Sequence, residues 1–217
     1  MPYLPALKPM LLDERPFDLH QEGWSFEIKF DGYRLMAEFG LGRCALMTRN
    51  GANASSWFPE ITRPLSNSRI FPGGPYVIDG EACVIDDLGR SDFDRLHTRT
   101  KRRCWYGGCD VVTFCAFDLL VANGVDITDE PYLERKARLQ RLLAPKPAGI
   151  MYVGHFESDG DLLFRSAVLP LELEGLVAKR VESTYQAGER SSDWVKVKRK
   201  DAVPAERFKQ PPTSSLH

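Results

Sequence analysis

The sequence predicts an α+β fold: one domain of mainly antiparallel strands flanked by a few helices. Three observations predict it. Apolar residues recur at every second position in several short stretches, as in half-buried strands. Asp31-Gly32, Asn50-Gly51 and Asn123-Gly124 are turn dipeptides that favour antiparallel pairing. Helical spacing is confined to a few segments interspersed among the strands. At 217 residues the chain can hold one substantial core, or at most two small ones.

The elements follow in order. Residues 1–23, broken by prolines, read as an irregular lead-in. Residues 24–31 and 33–39 read as strands around Asp31-Gly32, and 43–49 as a third before Asn50-Gly51. A short helix is expected after Pro59, a strand over 76–86, and a helix with a basic end over 92–103. A strand over 111–121 precedes Asn123-Gly124. The clearest helix is 130–143, with Thr128 or Asp129 as cap, Pro131 in its first turn, and Leu133, Ala137 and Leu142 at helical spacing. A helix over 159–170 and strands over 175–182 and 194–200 complete a domain spanning 1–200. The tail from Ala202, with Pro204, Pro211 and Pro212, is expected to be disordered.

Composition excludes several classes. A 43% hydrophobic and 27% charged share is that of a soluble globular protein, expected to be cytoplasmic. The net charge of −1 supplies no global field toward nucleic acid, so any DNA-binding surface must be a local patch. No apolar run reaches membrane-spanning length, and no signal-peptide core is present. The five cysteines are odd in number and irregular in spacing. Cys104 and Cys109 make a weak zinc pattern, and Cys83 and Cys115 sit in apolar strands as small hydrophobes, which suits a reducing compartment.

The chemistry gathers in five segments. In the first strand Phe26, Ile28 and Phe30 point to one side, and Glu27, Lys29 and Asp31 to the other. Lys29 thus stands between two carboxylates, ahead of Gly32 and Arg34. Asp79 and Glu81 share a strand face, with Gly80 between them allowing close approach; they suit a metal or a ribose, or else a solvated edge. Phe117 lies in a nearly all-apolar strand, where it is either core or a platform on which a base can stack. Glu174 precedes an apolar strand that ends in Lys179. Trp194, Lys196 and Lys198 share a face opposite Val195 and Val197, and two lysines so placed call for an anion such as a phosphate. A lysine nucleophile, carboxylates for a metal, an aromatic platform and phosphate-binding lysines together imply nucleotide chemistry.

These residues resemble the nucleotidyltransferase superfamily of ATP-dependent DNA ligases, RNA ligases and mRNA capping enzymes. Lys29, Asp31, Gly32 and Arg34 meet its K-x-D-G-x-R motif, and Thr48-Arg49-Asn50-Gly51 the next. Val77 to Val84 matches the D-G-E motif through Glu81, and Phe114 to Leu120 the segment whose aromatic, here Phe117, stacks on adenine. Glu174 to Lys179 matches E-G-x-x-x-K, and Lys196 with Lys198 the final K-x-K. Six motifs in the family's order are a strong signal. Lys8 to Leu11, Gly89 to Phe93 through Leu96, and Tyr185 through Gly188 to Trp194 look like the bacterial end-joining type of DNA ligase.

The resemblance implies an ATP-grasp-like adenylation fold with a nucleotide cleft between its sheets. It implies ATP as co-substrate, Mg²⁺ or Mn²⁺ as metal, and nicked or broken double-stranded DNA as partner. Lys29 would attack the α-phosphate of ATP and become a lysyl–AMP. Glu27 would serve the adenine side, Arg34 and Arg49 the nucleotide or the nick, and Lys179 the α-phosphate or its surroundings. Lys196 and Lys198 would bind phosphate, and Glu81 and Glu174 the ribose and metal. A lysine with the usual pKa of about 10.4 is neutral in only about one molecule in a thousand near pH 7.4, so the site must favour the free amine. Ligases of this family carry an OB-fold domain after K-x-K, and only 17 residues follow Lys200. An adenylation domain alone is therefore expected, with a separate OB-fold or end-joining protein completing the work, or with RNA ligase or capping chemistry as the alternative. Arg99, Lys101, Arg102 and Arg103 with Trp105 and Tyr106 read either as a DNA-backbone contact or as a solvated helix end. His20, His97, His155 and His217 match no motif.

Overall fold

A computed structural model describes residues 3, 4 and 6–202; the expected disorder of the tail concerns residues outside these, save Ala202. The chain builds two mixed sheets. The first runs in the order β1 (Leu11–Asp13), β11 (Arg190–Lys198), β10 (Gly175–Arg180), β2 (Trp24–Lys29) and β9 (His155–Phe156). The second runs β4 (Arg43–Thr48), β3 (Tyr33–Gly40), β5 (Tyr76–Cys83), β6 (Thr113–Ala122) and β7 (Val125–Asp126), with β8 (Ile150–Tyr152) also pairing with β6. All pairings are antiparallel except β1 with β11 and β6 with β8.

Each sheet has an apolar back, and the opposite faces mix the charged residues with an apolar cluster that includes Met36, Val77, Leu120 and Trp194. Behind the first sheet, Trp24, Phe26, Leu176, Ala178 and Val195 pack on Val168 of the helical segment formed by α4 (Gly160–Leu163) and a π-helical turn, Phe164–Val168. Behind the second, Leu35, Ala37, Ile78, Ala82, Phe114 and Ala116 pack on Ile61 and Leu65 of α1 (Pro59–Leu65) and Leu96 of α2 (Phe93–Thr100). Helix α3 (Tyr132–Leu142) packs along β6, its Leu139 in that core and its Tyr132 in the layer between the sheets.

Several expectations are corrected. Asp31-Gly32 is not a hairpin turn, because β2 and β3 belong to different sheets; it is the crossing point between them. Strand β2 stops at Lys29, so Phe30 leaves the apolar back and packs near Cys83, Cys115 and Phe117. The lead-in contains β1, whose partner strand lies far along the chain and gives no local signal. Helix α3 starts at Pro131 as N-cap with no side-chain cap, while Thr128 bonds Asp126 Oδ1 instead. Helix α2 ends at Thr100, and the basic residues after it lie in turns.

Two motif glycines are explained by close approach rather than chemistry. A Cβ on Gly32 would overlap the carbonyl of Ala82 on β5, and one on Gly175 (φ +156°) would overlap that of Val197 on β11. Each lets one motif-bearing segment touch a strand that carries another.

Candidate active site

The crossing at Asp31-Gly32 sets Lys29, at the end of β2, and Arg34, near the start of β3, on the faces of the two sheets opposite their apolar backs. All ten residues expected at the site line two adjoining cavities there. An apolar slot of about 60 Å³ is lined by Glu27, Lys29, Arg34, Glu81, Phe117 and Lys179, with Trp194 and Val177 among its other walls. A polar cavity of about 220 Å³ is lined by Lys29, Arg34, Arg49, Glu81, Glu174, Lys196 and Lys198, together with Arg190, which sequence reasoning did not single out. Lys29, Arg34 and Glu81 belong to both. Six cations and two carboxylates face the polar cavity, a balance that suits a polyphosphate.

Lys29 Nζ lies 2.6 Å from Glu174 Oε2, both side chains being largely buried. Lys196 Nζ lies 2.6 Å and Lys198 Nζ 3.9 Å from the carboxylate of Glu14, just beyond β1. The anion expected between these lysines is thus supplied by the chain itself. The hydrogen bond from Lys196 is the main cause that lowers the Glu14 carboxyl below its ordinary range.

Arg34 makes a two-pronged pair with Asp79, Nε to Oδ1 at 2.5 Å and an Nη to Oδ2 at 2.6 Å. Tyr185 donates to Asp79 Oδ2 at 2.5 Å. Asp79 is fully buried on a central strand, so the solvated-edge reading fails, and both its oxygens are taken. Burial works against the Arg34 charge, but Asp79 outweighs it and raises the guanidinium above its ordinary value. The Arg34 guanidinium also lies 4.4 Å from the centre of the Phe117 ring.

Phe117 reaches the slot because of a β-bulge. Gly80 opposes Ala116 and Asp79 opposes Asp118, which leaves Phe117 as the extra residue. Phe117 and Asp118 consequently turn toward the same side, the first to the slot and the second to Arg135 at 2.9 and 3.0 Å.

Glu27, on a face expected to be charged, is only 2% exposed. Its Oε1 accepts from Tyr132 at 2.6 Å and from Lys136, and its Oε2 lies 2.7 Å from Lys179. Burial alone would raise this carboxyl; Lys136 and Lys179 outweigh burial and hold it below the usual range. Lys179 sits among Trp194, Phe117 and Tyr132, with Nζ 4.0, 4.6 and 4.9 Å from the ring centres. It lines the apolar slot and not the polar cavity. Lys136, Tyr132 and Glu14 carry no local sequence signal, since only contacts across the fold reveal them.

Glu81 faces both cavities, and burial pushes its carboxyl up to about 7 against the pull of Arg34 and Lys29. Among the described residues no three His, Cys, Asp or Glu side chains form a metal-binding group. Glu81 and Glu174 offer two carboxylates to one cavity, a donor set that fits Mg²⁺, which commonly takes one or two carboxylates and fills its remaining positions with phosphate oxygens and water. The basic cluster divides: Arg99 is buried and bonds Cys104 O, Trp57 O and Glu60, whereas Lys101, Arg102 and Arg103 are exposed.

The ATP dependent DNA ligase domain profile matches residues 10–198. The chain belongs to the ATP-dependent DNA ligase domain family. Among its relatives, the multifunctional non-homologous end joining protein LigD of Pseudomonas aeruginosa is 34% identical over 81% of this chain and 20% of its own length. The bifunctional LigD of Bacillus subtilis is 30% identical over 89% of this chain and 34% of its own length. The chain therefore spans about a fifth to a third of these two ligase relatives. A structure of mycobacterial DNA ligase D complexed with ATP and MES superposes with a TM-score of 0.75 at 29% identity, covering 90% of this chain and 61% of that one. The α+β class and the adenylation fold expected from sequence are those of these ligase structures. No described helix is long and apolar enough to cross a membrane.

Proposed function

We propose that this ligase domain forms a covalent lysyl–AMP at Lys29 and passes AMP to the 5′-phosphate of nicked or broken double-stranded DNA for sealing. The observation that carries this is the convergence on Lys29 of an apolar slot with an aromatic wall and a cation-rich cavity. Phe117 offers a base platform, and Glu81 is placed at the junction, where a ribose would lie. Arg49, Lys196 and Lys198 face the space suited to the phosphates, Lys196 and Lys198 exchanging Glu14 for the polyphosphate. Arg34, held by Asp79, borders both spaces and keeps the platform and the phosphate region in one geometry.

The Lys29 amine must be free of its proton and of Glu174, which it bonds at 2.6 Å, before it can attack phosphorus. Glu81 and Glu174 would hold Mg²⁺ or Mn²⁺, which when bound supplies neutralisation of phosphate charge, and Glu174 so engaged would no longer bond the lysine. Attack forms the Nζ–P bond and breaks the bond to pyrophosphate, which leaves with the electron pair. AMP then moves to the DNA 5′-phosphate, and the 3′-hydroxyl displaces it to close the backbone. The setting is cytoplasmic, and the partners are DNA and a separate OB-fold or end-joining protein.

Incubation with α-labelled ATP and Mg²⁺ tests this, with Lys29→Ala as control. Acid-stable label on the wild type alone is expected, and its absence overturns the reading. Label that forms but does not move to a nicked duplex favours the second reading, a self-adenylating module that needs its partner to ligate.

A further inference from the structure

Lys136 is a buried lysine outside every motif. It is 0% exposed and lines neither cavity, so it cannot touch a bound nucleotide. Its ammonium donates to Glu27 Oε1 and, at 3.1 Å, to the carbonyl oxygen of Phe117, and it lies 4.7 Å from the centre of the Tyr152 ring. Glu27 and Phe117 belong to different sheets and are both walls of the apolar slot. The carbonyl it holds belongs to the bulged residue, whose backbone lacks the regular ladder around it. A buried ammonium is costly without partners, and burial pulls that of Lys136 down to about 8 despite Glu27. Retaining a charge there calls for a role that an apolar side chain could not fill.

We propose that Lys136 is a positioning residue for the nucleotide base: it ties the Glu27 carboxylate to the Phe117 backbone and so fixes the width of the slot between the two sheets. The proposal rests on the reading of this slot as the base site. It assigns Lys136 to ATP affinity and not to the chemistry at Lys29. Methionine at 136 keeps the length and apolar stem and removes both bonds. Glutamine keeps N–H donors on a shorter stem and can serve only one acceptor, so it should fall between the two.

The test measures equilibrium binding of ATP in a Lys29→Ala background, where no lysyl–AMP forms. Adding Lys136→Met should weaken binding about tenfold or more, and Lys136→Gln about threefold, as expected for loss of charge-assisted bonds. In the Lys29 protein, Lys136→Met should raise KM for ATP in lysyl–AMP formation with kcat changed less than about threefold. Unchanged ATP binding with only a lower melting temperature overturns the proposal, as does a loss confined to kcat. If Lys136→Met does not fold, Lys136→Gln decides, and wild-type affinity in that variant overturns it. ATP binding that responds to Lys136 while no label reaches Lys29 would overturn the enzymatic reading and leave this inference standing. Label on Lys29 with binding indifferent to Lys136 does the reverse.

Discussion

The Lys29 ammonium sits 2.6 Å from Glu174, so the candidate nucleophile is bonded to the residue best placed to share a metal with Glu81. These two roles of Glu174 make opposite predictions. As a metal partner its loss slows adenylation; as a simple brake on Lys29 its loss speeds it. We expect Glu174→Gln to cut the rate of lysyl–AMP formation by about tenfold or more and to raise the Mg²⁺ concentration needed for half-maximal rate. A faster variant with unchanged Mg²⁺ dependence would remove Glu174 from the metal site.

The Arg34–Asp79–Tyr185 set predicts a stability effect. Asp79→Ala leaves a buried guanidinium and phenol without their shared partner. Breaking a buried pair from one side costs roughly 3 kcal/mol or more. For a chain of this size that is a drop in melting temperature of about 6–12 °C. Thermal melts check it, and ATP affinity should fall as well, because Arg34 lies on Phe117.

Glu14 bonds Lys196 and lies near Lys198, the two lysines that the proposed function gives to substrate phosphate. Glu14→Gln should tighten binding of ATP and of pyrophosphate by up to about fivefold, the scale of an exposed ion pair. The gain should shrink at high salt, where such pairs are screened. Titration at two ionic strengths reads both effects, and weaker binding in the variant would show that Glu14 itself holds the ligand or its metal.

Glu81 predicts a pH effect on stability. Its carboxyl rises from an ordinary 4.5 to about 7 in the fold, so the folded state holds a proton that the unfolded chain releases. Stability from this group is full below about pH 4.5 and is lost as pH rises to about 7. The loss is at most about 3 kcal/mol. Glu81→Gln should therefore melt higher than wild type at pH 8, with the difference closing toward pH 4.5. Parallel melts of the two proteins against pH check it, provided the nucleotide is absent.

Much of this site was legible because period-two alternation assigns strand faces. Lys29, Glu81, Lys196 and Lys198 could be placed on polar fronts from spacing alone. What spacing does not show is which strands face one another. Asp31-Gly32 has the composition of a hairpin turn yet joins two sheets, a difference fixed by the pairing of β2 with β10, far along the chain. Lys136 follows Arg135 on an amphipathic helix, where a charge is ordinarily solvated. Only the 109-residue separation to Glu27, closed by the fold, makes it a buried bridge. Glu14 was hidden for the same reason, its position being set by the parallel pairing of β1 with β11.

The bulge at Phe117 ties function to residue count as well as residue identity. Removing Phe117 would make Ala116 opposite Gly80 and Asp118 opposite Asp79 consecutive pairs of a regular ladder, with the side chains beyond it on their present faces. Such a shortened strand could pair better with its neighbour and keep Asp118 on Arg135 while leaving the slot without its ring. A chain shortened there would keep the other five motifs in order and the strands that carry them, and would lack only the aromatic wall of the slot.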